Sequence, residues 1–468
     1  MKSTFLFGLV LAQMTISFAQ PQRPQVLYSD TSHTITTSGI FVERGDEYQL
    51  LTRKKNFGVI YYRMDTNFQV LAEHPSYLSS TVEDVIPLAD GGVIATGYKL
   101  NLDYTSKVSA IKIAADGSAE WQAFGAYEAV GNIFGFASSA ENSHTILIGK
   151  HRELGAYESL TLTKIDSSGQ LIWDKEFVSR NGARGMEIVQ RANGNYLLLG
   201  INTPLDTFDS AGWLLETNLN GDSLHSTFFG ARWDYPISLL PSGEGYLVVG
   251  ENNWTHPGRP ISLKLWRFDA NLNLEWEKSF RYTDSMGVEH DIRVTKAAKT
   301  KDQGCIVLGT TYETIHDSLT ENQLYLGKFS SEGILEWEMT LGVRDEANHY
   351  PKDVLPLEGG GYLVTARIED FTPLPGQIYT YYARLSDDGT PVINVSREPD
   401  LQELAVEIHP NPFDAELWGS IHLERPNEVQ VAVYDLQGRE LSAQDIQGQV
   451  GQNSFVIATD HLPPASYL

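Results

Sequence analysis

The chain is short of cysteine, of positive charge and of long apolar segments. Cys305 is the single cysteine in 468 residues, so an intrachain disulfide is excluded. It lies in a slot that tyrosines occupy in other copies of the repeat described below, at Tyr196, Tyr246 and Tyr362. This position predicts a small buried side chain rather than a reactive nucleophile.

Positive charge is scarce, with 35 Lys and Arg against 60 Asp and Glu and a net charge of −25. Nucleic-acid binding depends on basic patches that displace phosphate counterions, so we expect no nucleic-acid partner. Docking to anionic lipid is disfavoured for the same reason. An acidic balance of this kind is typical of a soluble exported protein.

The apolar runs are short, and the first of them lies at the start of the chain. Lys2 precedes an apolar stretch at 5–12, and small residues follow at 17–19. This order predicts a signal peptide at residues 1–19, cleaved before Gln20. The stretch is too short to span a bilayer, and no later segment approaches that length, so we expect no transmembrane span in the mature chain.

A short apolar motif, which reads Tyr-Leu-Leu-Leu-Gly at 196–200 and which we call the apolar phrase, recurs about seven times along the chain. Its last position falls at Thr52, Gly97, Gly149, Gly200, Gly250, Gly309 and Ala366, with steps of 45, 52, 51, 50, 59 and 57 residues. A period of this size is typical of repeat architectures, in which one unit cannot bury its apolar face alone.

Within one copy the pattern predicts four short strands. Residues 188–191 form the first, an Asn-Gly turn follows, and 196–200 form a strand buried on both faces. Strands at 212–217 and up to 229 complete the copy. A turn residue and a tryptophan four positions later also recur, at Trp121, Trp173, Trp276 and Trp337. We expect each indole ring to cover the gap between neighbouring sheets.

Four antiparallel strands in a unit of about 50 residues are typical of a β-propeller blade. The sequence therefore predicts an all-β protein with a seven-bladed β-propeller over residues 26–400, followed by a small C-terminal β-sandwich. A solenoid is the main alternative, although its repeats are usually shorter. A kelch-type propeller has a similar period, but here the glycine pairs at 91–92 and 359–361 fall in the hairpin before the apolar strand, which does not fit that motif.

The sequence carries no motif for a nucleophile, a metal site or a phosphate loop. We therefore predict no catalytic, cofactor-binding or metal-binding residue, and no cofactor. Glycosidase carboxylates leave no linear signature, so catalysis stays open.

The longest predicted loops lie on one face of the propeller, around blades 4 to 6. In a four-stranded blade, the loops between strands 2 and 3 share a face with the connections between blades. Nine aromatic or imidazole side chains fall in these segments: Trp233, Tyr235, Trp254, His256, His290, Tyr312, His316, His349 and Tyr350. Since binding sites tend to lie on long loops of a rigid scaffold, these residues are candidates to bind a glycan or protein ligand. The alternative is that they pack their own loops.

Residues 403–468 depart from the repeat and contain three separated motifs in order. These are Pro410-Asn411-Pro412, then Tyr434-Asp435-Leu436-Gln437-Gly438-Arg439, then Leu462-Pro463 with Tyr467-Leu468. Together they resemble the C-terminal sorting domain of the type IX (Por) secretion system. The resemblance implies the type IX machinery as a partner and a location outside a Gram-negative bacterium, either secreted or on the outer-membrane surface. That family continues through one more strand, so we expect the domain to be truncated here.

The sequence thus predicts a secreted or cell-surface binding protein that recognises a glycan or a protein through a propeller scaffold. The alternative function is a secreted hydrolase or lyase that acts on polysaccharide or peptide at the loop face. A purely structural envelope component is a third class.

Overall fold

In the computed structural model the repeats form antiparallel sheets whose strands pair in chain order. The described residues are 35–54, 58–66, 70–76, 82–100, 105–126, 129–130, 136–141, 144–151, 159–177, 182–202, 211–231, 233–252, 261–284, 287–315, 319–341, 347–370, 377–390, 406–409, 416–423, 427–434, 440–448 and 451–458. These residues contain no helix, and hence none long and apolar enough to cross a membrane. The chain divides into two compact units, of which the larger is Pro24–Asn394 and the smaller contains Val395–Leu468.

The first three sheets of the larger unit follow the first three repeats. Sheet 1 consists of β1 (Ile35–Arg44), β2 (Glu47–Lys54), β3 (Gly58–Asp65) and β4 (Val70–Ser76). Sheet 2 consists of β5 (Asp84–Pro87), β6 (Val93–Leu100), β7 (Thr105–Ile113) and β8 (Ala119–Phe124), with β9 (Ala129–Val130) paired to β7. Sheet 3 consists of β10 (Phe136–Glu141), β11 (His144–His151), β12 (Ser159–Ile165) and β13 (Leu171–Phe177).

The remaining four sheets follow in the same way. Sheet 4 consists of β14 (Ala183–Gln190), β15 (Tyr196–Asn202), β16 (Ala211–Thr217) and β17 (Ser223–Phe229). Sheet 5 consists of β18 (Asp234–Ser242), β19 (Gly245–Asn252), β20 (Ser262–Phe268) and β21 (Leu274–Phe280). Sheet 6 consists of β22 (Tyr282–Thr283), β23 (Glu289–Lys299), β24 (Cys305–Ile315), β25 (Leu319–Phe329) and β26 (Leu335–Leu341). Sheet 7 consists of β27 (Ala347–Pro356), β28 (Tyr362–Asp370) and β29 (Gln377–Leu385).

Together these sheets form a propeller-like fold. Six of them have four or five strands, and sheet 7 has three among the described residues. The inner strand of each sheet contacts the inner strand of the next, in the order β1, β5, β10, β14, β18, β23 and β27, and β27 contacts β1. The inner strands therefore surround a central channel.

The hydrophobic core lies between neighbouring sheets rather than at one centre. One cluster joins Leu199 of sheet 4 to Trp266 of sheet 5, and another joins Leu50 of sheet 1 to Leu363 of sheet 7. Each sheet thus buries its apolar surface on both sides, as a repeat unit without a core of its own must do.

The apolar phrase forms the second strand of its sheet, as predicted. The four residues Tyr196 to Leu199 are at most 1% exposed, which confirms burial on both faces. Cys305, in the tyrosine slot of β24, is fully buried, and burial raises the pKa of its thiol to about 12. The prediction of a buried rather than reactive cysteine is therefore confirmed.

The tryptophans of the outer strands pack on the hairpin turn of the next sheet. A Cβ added at Gly169 would meet the Trp121 ring at 2.8 Å, and one added at Gly221 would meet the Trp173 ring at 3.0 Å. Trp121 Nε1 also donates a hydrogen bond to the Ser167 carbonyl at 2.9 Å. The predicted role of the indole rings between sheets is confirmed. Glycine is required at these turns because φ is positive and because the ring covers the Cα.

The glycine that ends the phrase marks a β-bulge on the strand beside it. The register shifts between Gly185 and Glu187 in β14, opposite Gly200. An alanine Cβ at position 200 would lie 2.8 Å from the Arg184 carbonyl oxygen. At Gly250 and Gly309 the Cβ would overlap the carbonyl oxygens of Tyr235 and Arg293. The bulged inner strand approaches the second strand too closely to admit a side chain there.

The smaller unit contains two sheets. One consists of β30 (Val406–His409), β31 (Glu416–Leu423) and β34 (Gly451–Ala458), and the other of β32 (Asn427–Tyr434) and β33 (Glu440–Gly448). The predicted β-sandwich arrangement stays a prediction. Tyr434 ends β32. The predicted signal peptide at 1–19 and residues 26–34 lie outside the described residues. The other residues of the sorting motifs also lie outside them: Pro410, Asn411, Pro412, Asp435, Leu436, Gly438, Arg439, Leu462, Pro463, Tyr467 and Leu468.

Candidate functional site

The strands of sheets 5 to 7 extend into segments that were predicted as loops. β24 and β25 are paired as far as Ile315 and Leu319, so the segment around Tyr312, predicted as a loop, is mostly a long hairpin. The prediction was wrong because the glycine at 309 was taken as the end of the strand, while the β-branched and aromatic residues after it favour its continuation.

Five of the nine candidate ligand residues therefore lie on strands. Tyr235 is on β18, His290 on β23, Tyr312 on β24, and His349 and Tyr350 on β27. Trp254, His256 and His316 lie outside the described residues.

Both described histidines of this set are buried. His290 is 4% exposed, and its Nε2 lies 3.1 Å from the Asp284 carboxylate, which is itself buried. His349 is 3% exposed. These imidazoles pack inside their sheets, in line with the alternative of packing rather than ligand contact.

Three of the aromatic candidates contact neighbouring cationic side chains or occupy a turn. The Arg184 guanidinium donates to the Tyr235 hydroxyl at 3.4 Å, and the Arg367 guanidinium lies 4.3 Å from the centre of the Tyr350 ring. Trp233 adopts a φ of +74°, a backbone conformation that costs energy for a large side chain. It directly precedes β18 at the loop face.

A group of charged side chains from four different sheets meets in the central channel. Lys296 of β23 lies between two carboxylates, with its Nζ 2.9 Å from Asp353 of β27 and 3.4 Å from Asp84 of β5. Glu187 of β14 interacts electrostatically with all three. We call Asp84, Glu187, Lys296 and Asp353 the channel cluster.

The four members occupy one structural position. Glu187, Lys296 and Asp353 each follow a bulge in the inner strand and face the residue before the recurring glycine or alanine. Asp84, at the start of β5, pairs with Thr96, the residue before Gly97. The bulge changes the direction of the side chain that follows it, and this repeated geometry brings the four groups together.

The carboxyl groups of the channel cluster outnumber its single amine, and the pKa of Glu187 reflects this excess. Burial is the largest cause, and together with Asp84 and Asp353 it raises that pKa to about 8 against the opposing effect of Lys296. Glu187 is half-buried, and the removal of its carboxyl group from water makes the largest contribution to the raised pKa. The raised pKa favours the protonated form of Glu187, which can donate a hydrogen bond.

Lys296 keeps its charge despite its surroundings. Burial alone would lower its pKa, but Asp353, Asp84 and Glu187 together outweigh burial and raise it. A second pair, Lys352 and Glu83 at 2.7 Å, joins β27 to the residue before β5 beside the channel cluster. Inner strands that are far apart in sequence are thus joined by ion pairs.

Among the described residues, no group of three or more His, Cys, Asp or Glu side chains has the geometry to hold a metal ion. In the channel cluster, the Lys296 ammonium group lies between the carboxylates of Asp84 and Asp353.

Sequence reasoning missed the channel cluster, although a spacing signal was present. Each member lies thirteen residues before the end of its phrase: Asp84 before Gly97, Glu187 before Gly200, Lys296 before Gly309 and Asp353 before Ala366. Four charged residues at one repeat position would have indicated the site. The thirteen-residue spacing brings these side chains together only because the bulge in the inner strand changes the direction of the side chain that follows it.

Comparisons with known proteins show likeness of fold only. Scans against protein families and curated proteins found no match. Among solved structures, the chain is similar to the β-propeller domain of the Trilobed protease from Pyrococcus furiosus, at 12% identity over 77% of this chain and 99% of that one, with a TM-score of 0.41.

Two other solved structures are similar at the same level. Puromycin hydrolase is 11% identical over 84% of this chain and 60% of its own, with a TM-score of 0.48. A PL25 polysaccharide lyase, an ulvan lyase, is 10% identical over 75% of this chain and 92% of its own, with a TM-score of 0.45.

Proposed function

We propose that this chain is a seven-bladed propeller, exported to the cell surface or the medium, that binds a glycan at the loop face of its central channel. The channel cluster is the observation that carries this proposal. A protonated Glu187 donates hydrogen bonds, while Asp84 and Asp353 accept them, and sugar hydroxyl groups need both.

The count of seven blades is supported by the contacts of sheet 7. Its inner strand β27 contacts both β23 and β1, and its core side chain Leu363 packs with Leu50 of sheet 1. These contacts support counting sheet 7, which has three strands among its described residues, as a seventh blade between sheets 6 and 1.

Export is supported by the sequence patterns at 1–19 and 403–468. A secretion assay in a Gram-negative host with a type IX system tests it directly. We expect the full chain outside the cells and a chain that ends at residue 402 in the periplasm. Periplasmic retention of both forms would contradict export by this route.

The binding proposal is tested with a panel of neutral, amino and acidic polysaccharides, measured by calorimetry. We expect at least one to bind, and the pair of changes Asp84→Asn and Asp353→Asn to weaken it at least about tenfold, or 1.4 kcal/mol. The matched control is Glu244→Gln, which removes an exposed carboxylate in a hairpin of sheet 5. Equal affinity of the channel variant and the control, both folded, would refute the site.

Hydrolysis of a glycan is the second candidate function, and the raised pKa of Glu187 favours it. A glycosidase needs one carboxyl group that is protonated at working pH and another that is not. Glu187 suits the acid role, beside the carboxylates that pair with Lys296. Release of reducing ends from the panel, lost in Glu187→Gln, would establish hydrolysis; a bound but uncleaved glycan would leave binding alone.

A further inference from the structure

The bulge that carries Lys296 is held from the neighbouring sheet. The Val294 amide donates to Glu251 Oε2 at 2.8 Å, and the Ala297 amide donates to Ser238 Oγ at 3.0 Å. These two amides flank Lys296 on either side, and both acceptors belong to sheet 5 rather than to sheet 6.

Both acceptors are buried, Glu251 at 5% and Ser238 at 1% exposure. A bulge leaves amide groups that the adjacent strand does not pair, and a buried unpaired amide costs about 1–3 kcal/mol. Glu251 and Ser238 supply the missing partners. Ser238 itself follows the bulge of β18, and this is the position that carries a charged side chain in sheets 4, 6 and 7. In sheet 5 it instead carries a hydroxyl group that supports the neighbouring strand.

We propose that Glu251 and Ser238 are positioning residues that fix Lys296 between Asp84 and Asp353. The expected effect on ligand binding rests on the proposed function, because the channel cluster is the proposed binding site. The geometry itself can be measured without any ligand.

The position of Lys296 matters because its two ion pairs are unequal. Its Nζ is 2.9 Å from Asp353 and 3.4 Å from Asp84, so a backbone shift of about 1 Å takes the longer contact beyond ion-pair distance. Lys296 also lowers the pKa of Glu187. Displacing the ammonium group therefore leaves Glu187 beside carboxylates alone, and its pKa rises.

The test is a ¹³C NMR titration of Glu187 in the full chain, assigned by comparison with Glu187→Gln. We expect Glu251→Leu and Ser238→Ala, which remove one acceptor each, to raise the pKa of Glu187 by about 0.5 unit or more. Glu251→Gln keeps the acceptor and removes the charge, so it should leave the titration near the wild-type value. If Glu251→Leu does not fold, Ser238→Ala decides.

A stability control separates positioning from general loosening. Val248→Ala deletes buried methyl groups of the same strand, β19, on the face that packs with sheet 4 rather than with the bulge of β23. It should lower the melting temperature and leave the Glu187 titration unchanged. The inference is overturned if Glu251→Leu and Ser238→Ala titrate as the wild type does, or if Val248→Ala shifts the titration as much as they do.

Failure of this inference and failure of the proposed function give different results. A shifted Glu187 titration with no glycan bound by any variant supports positioning and refutes binding. An unshifted titration with glycan bound at the channel cluster refutes positioning and leaves binding intact.

Discussion

Replacing Gly250 by alanine tests whether the recurring glycine exists to admit the bulge of the inner strand. The added Cβ would overlap the Tyr235 carbonyl oxygen and lie 2.7 Å from Pro236 Cα. Both atoms belong to the backbone of β18, so no side-chain rotation relieves the contact. Either β18 moves away from β19 or the bulge is lost.

The expected cost follows from that geometry. Inserting one methyl group into a packed interior costs about 1–3 kcal/mol, and a clash with backbone belongs at the upper end. We expect Gly250→Ala to lose about 3 kcal/mol in the free energy of unfolding. Gly200→Ala should lose less, because the nearest backbone atom, the Arg184 carbonyl oxygen, is 2.8 Å from its Cβ.

Gly359→Ala is the matched control, since its Cβ would have no atom within 4 Å and its φ is not in the left-handed region. We expect a change within about 1 kcal/mol, on the stabilising side, because alanine restricts the unfolded chain. Urea unfolding followed by tryptophan fluorescence measures all three variants. Equal stability of Gly250→Ala and Gly359→Ala would refute the link between the glycine and the bulge.

Three further predictions concern single side chains. Cys305 should resist thiol reagents at pH 8 in the folded chain and react only after unfolding, because burial raises its pKa to about 12; rapid labelling without unfolding would contradict this. Trp276→Ala should lose about 2–3 kcal/mol by uncovering the turn at Gly333, and a loss below 0.5 kcal/mol would show that the ring does not join the sheets. Burial raises the pKa of Glu251 to about 7, so the folded state holds a proton that the unfolded state releases above about 4.5. Wild-type stability should therefore fall between pH 4.5 and 7 relative to Glu251→Gln, by up to about 3 kcal/mol, and parallel pH profiles would contradict the shift.

The sequence predicted the strands and the turns well because both leave local signals. The run at 196–199 is apolar without interruption, and such a run is buried on both faces. The hairpin turns and the tryptophans four residues later recur at fixed spacing, and each tryptophan ring packs on the turn glycine of the next sheet. These are short-range patterns, repeated often enough to be read from one chain.

The channel cluster was harder to predict because its members are distant in sequence and meet only through the curvature of the whole unit. Lys296 and Asp84 are 212 residues apart. Nothing in the neighbourhood of either residue distinguishes it from the other charged residues of an acidic chain. The meaning of the thirteen-residue spacing depends on the bulge, which the sequence shows only indirectly, through a glycine on the adjacent strand.

The prediction of a loop in sheet 6 was wrong for a different reason. Strand length in sheet 6 is set by the partner strand, because Thr314 pairs with Thr320 and Ile315 with Leu319. The sequence of β24 alone does not show that the strand continues past Gly309, because the continuation depends on pairing with β25. Tyr312, which the sequence assigns to a loop, therefore lies on β24.

The ion pairs of the channel also constrain the order of events during synthesis. Lys352 reaches back 269 residues to Glu83, and Lys296 reaches back 212 residues to Asp84. Contacts of such separation form slowly, after the local hairpins, because chain closure must precede them. A ribosome must complete the strand that carries Asp353 before the group of four can exist. A nascent or prematurely terminated chain can hold well-formed sheets and still lack the channel cluster. The cluster is complete only when the repeat that carries Asp353 has packed beside the early repeats.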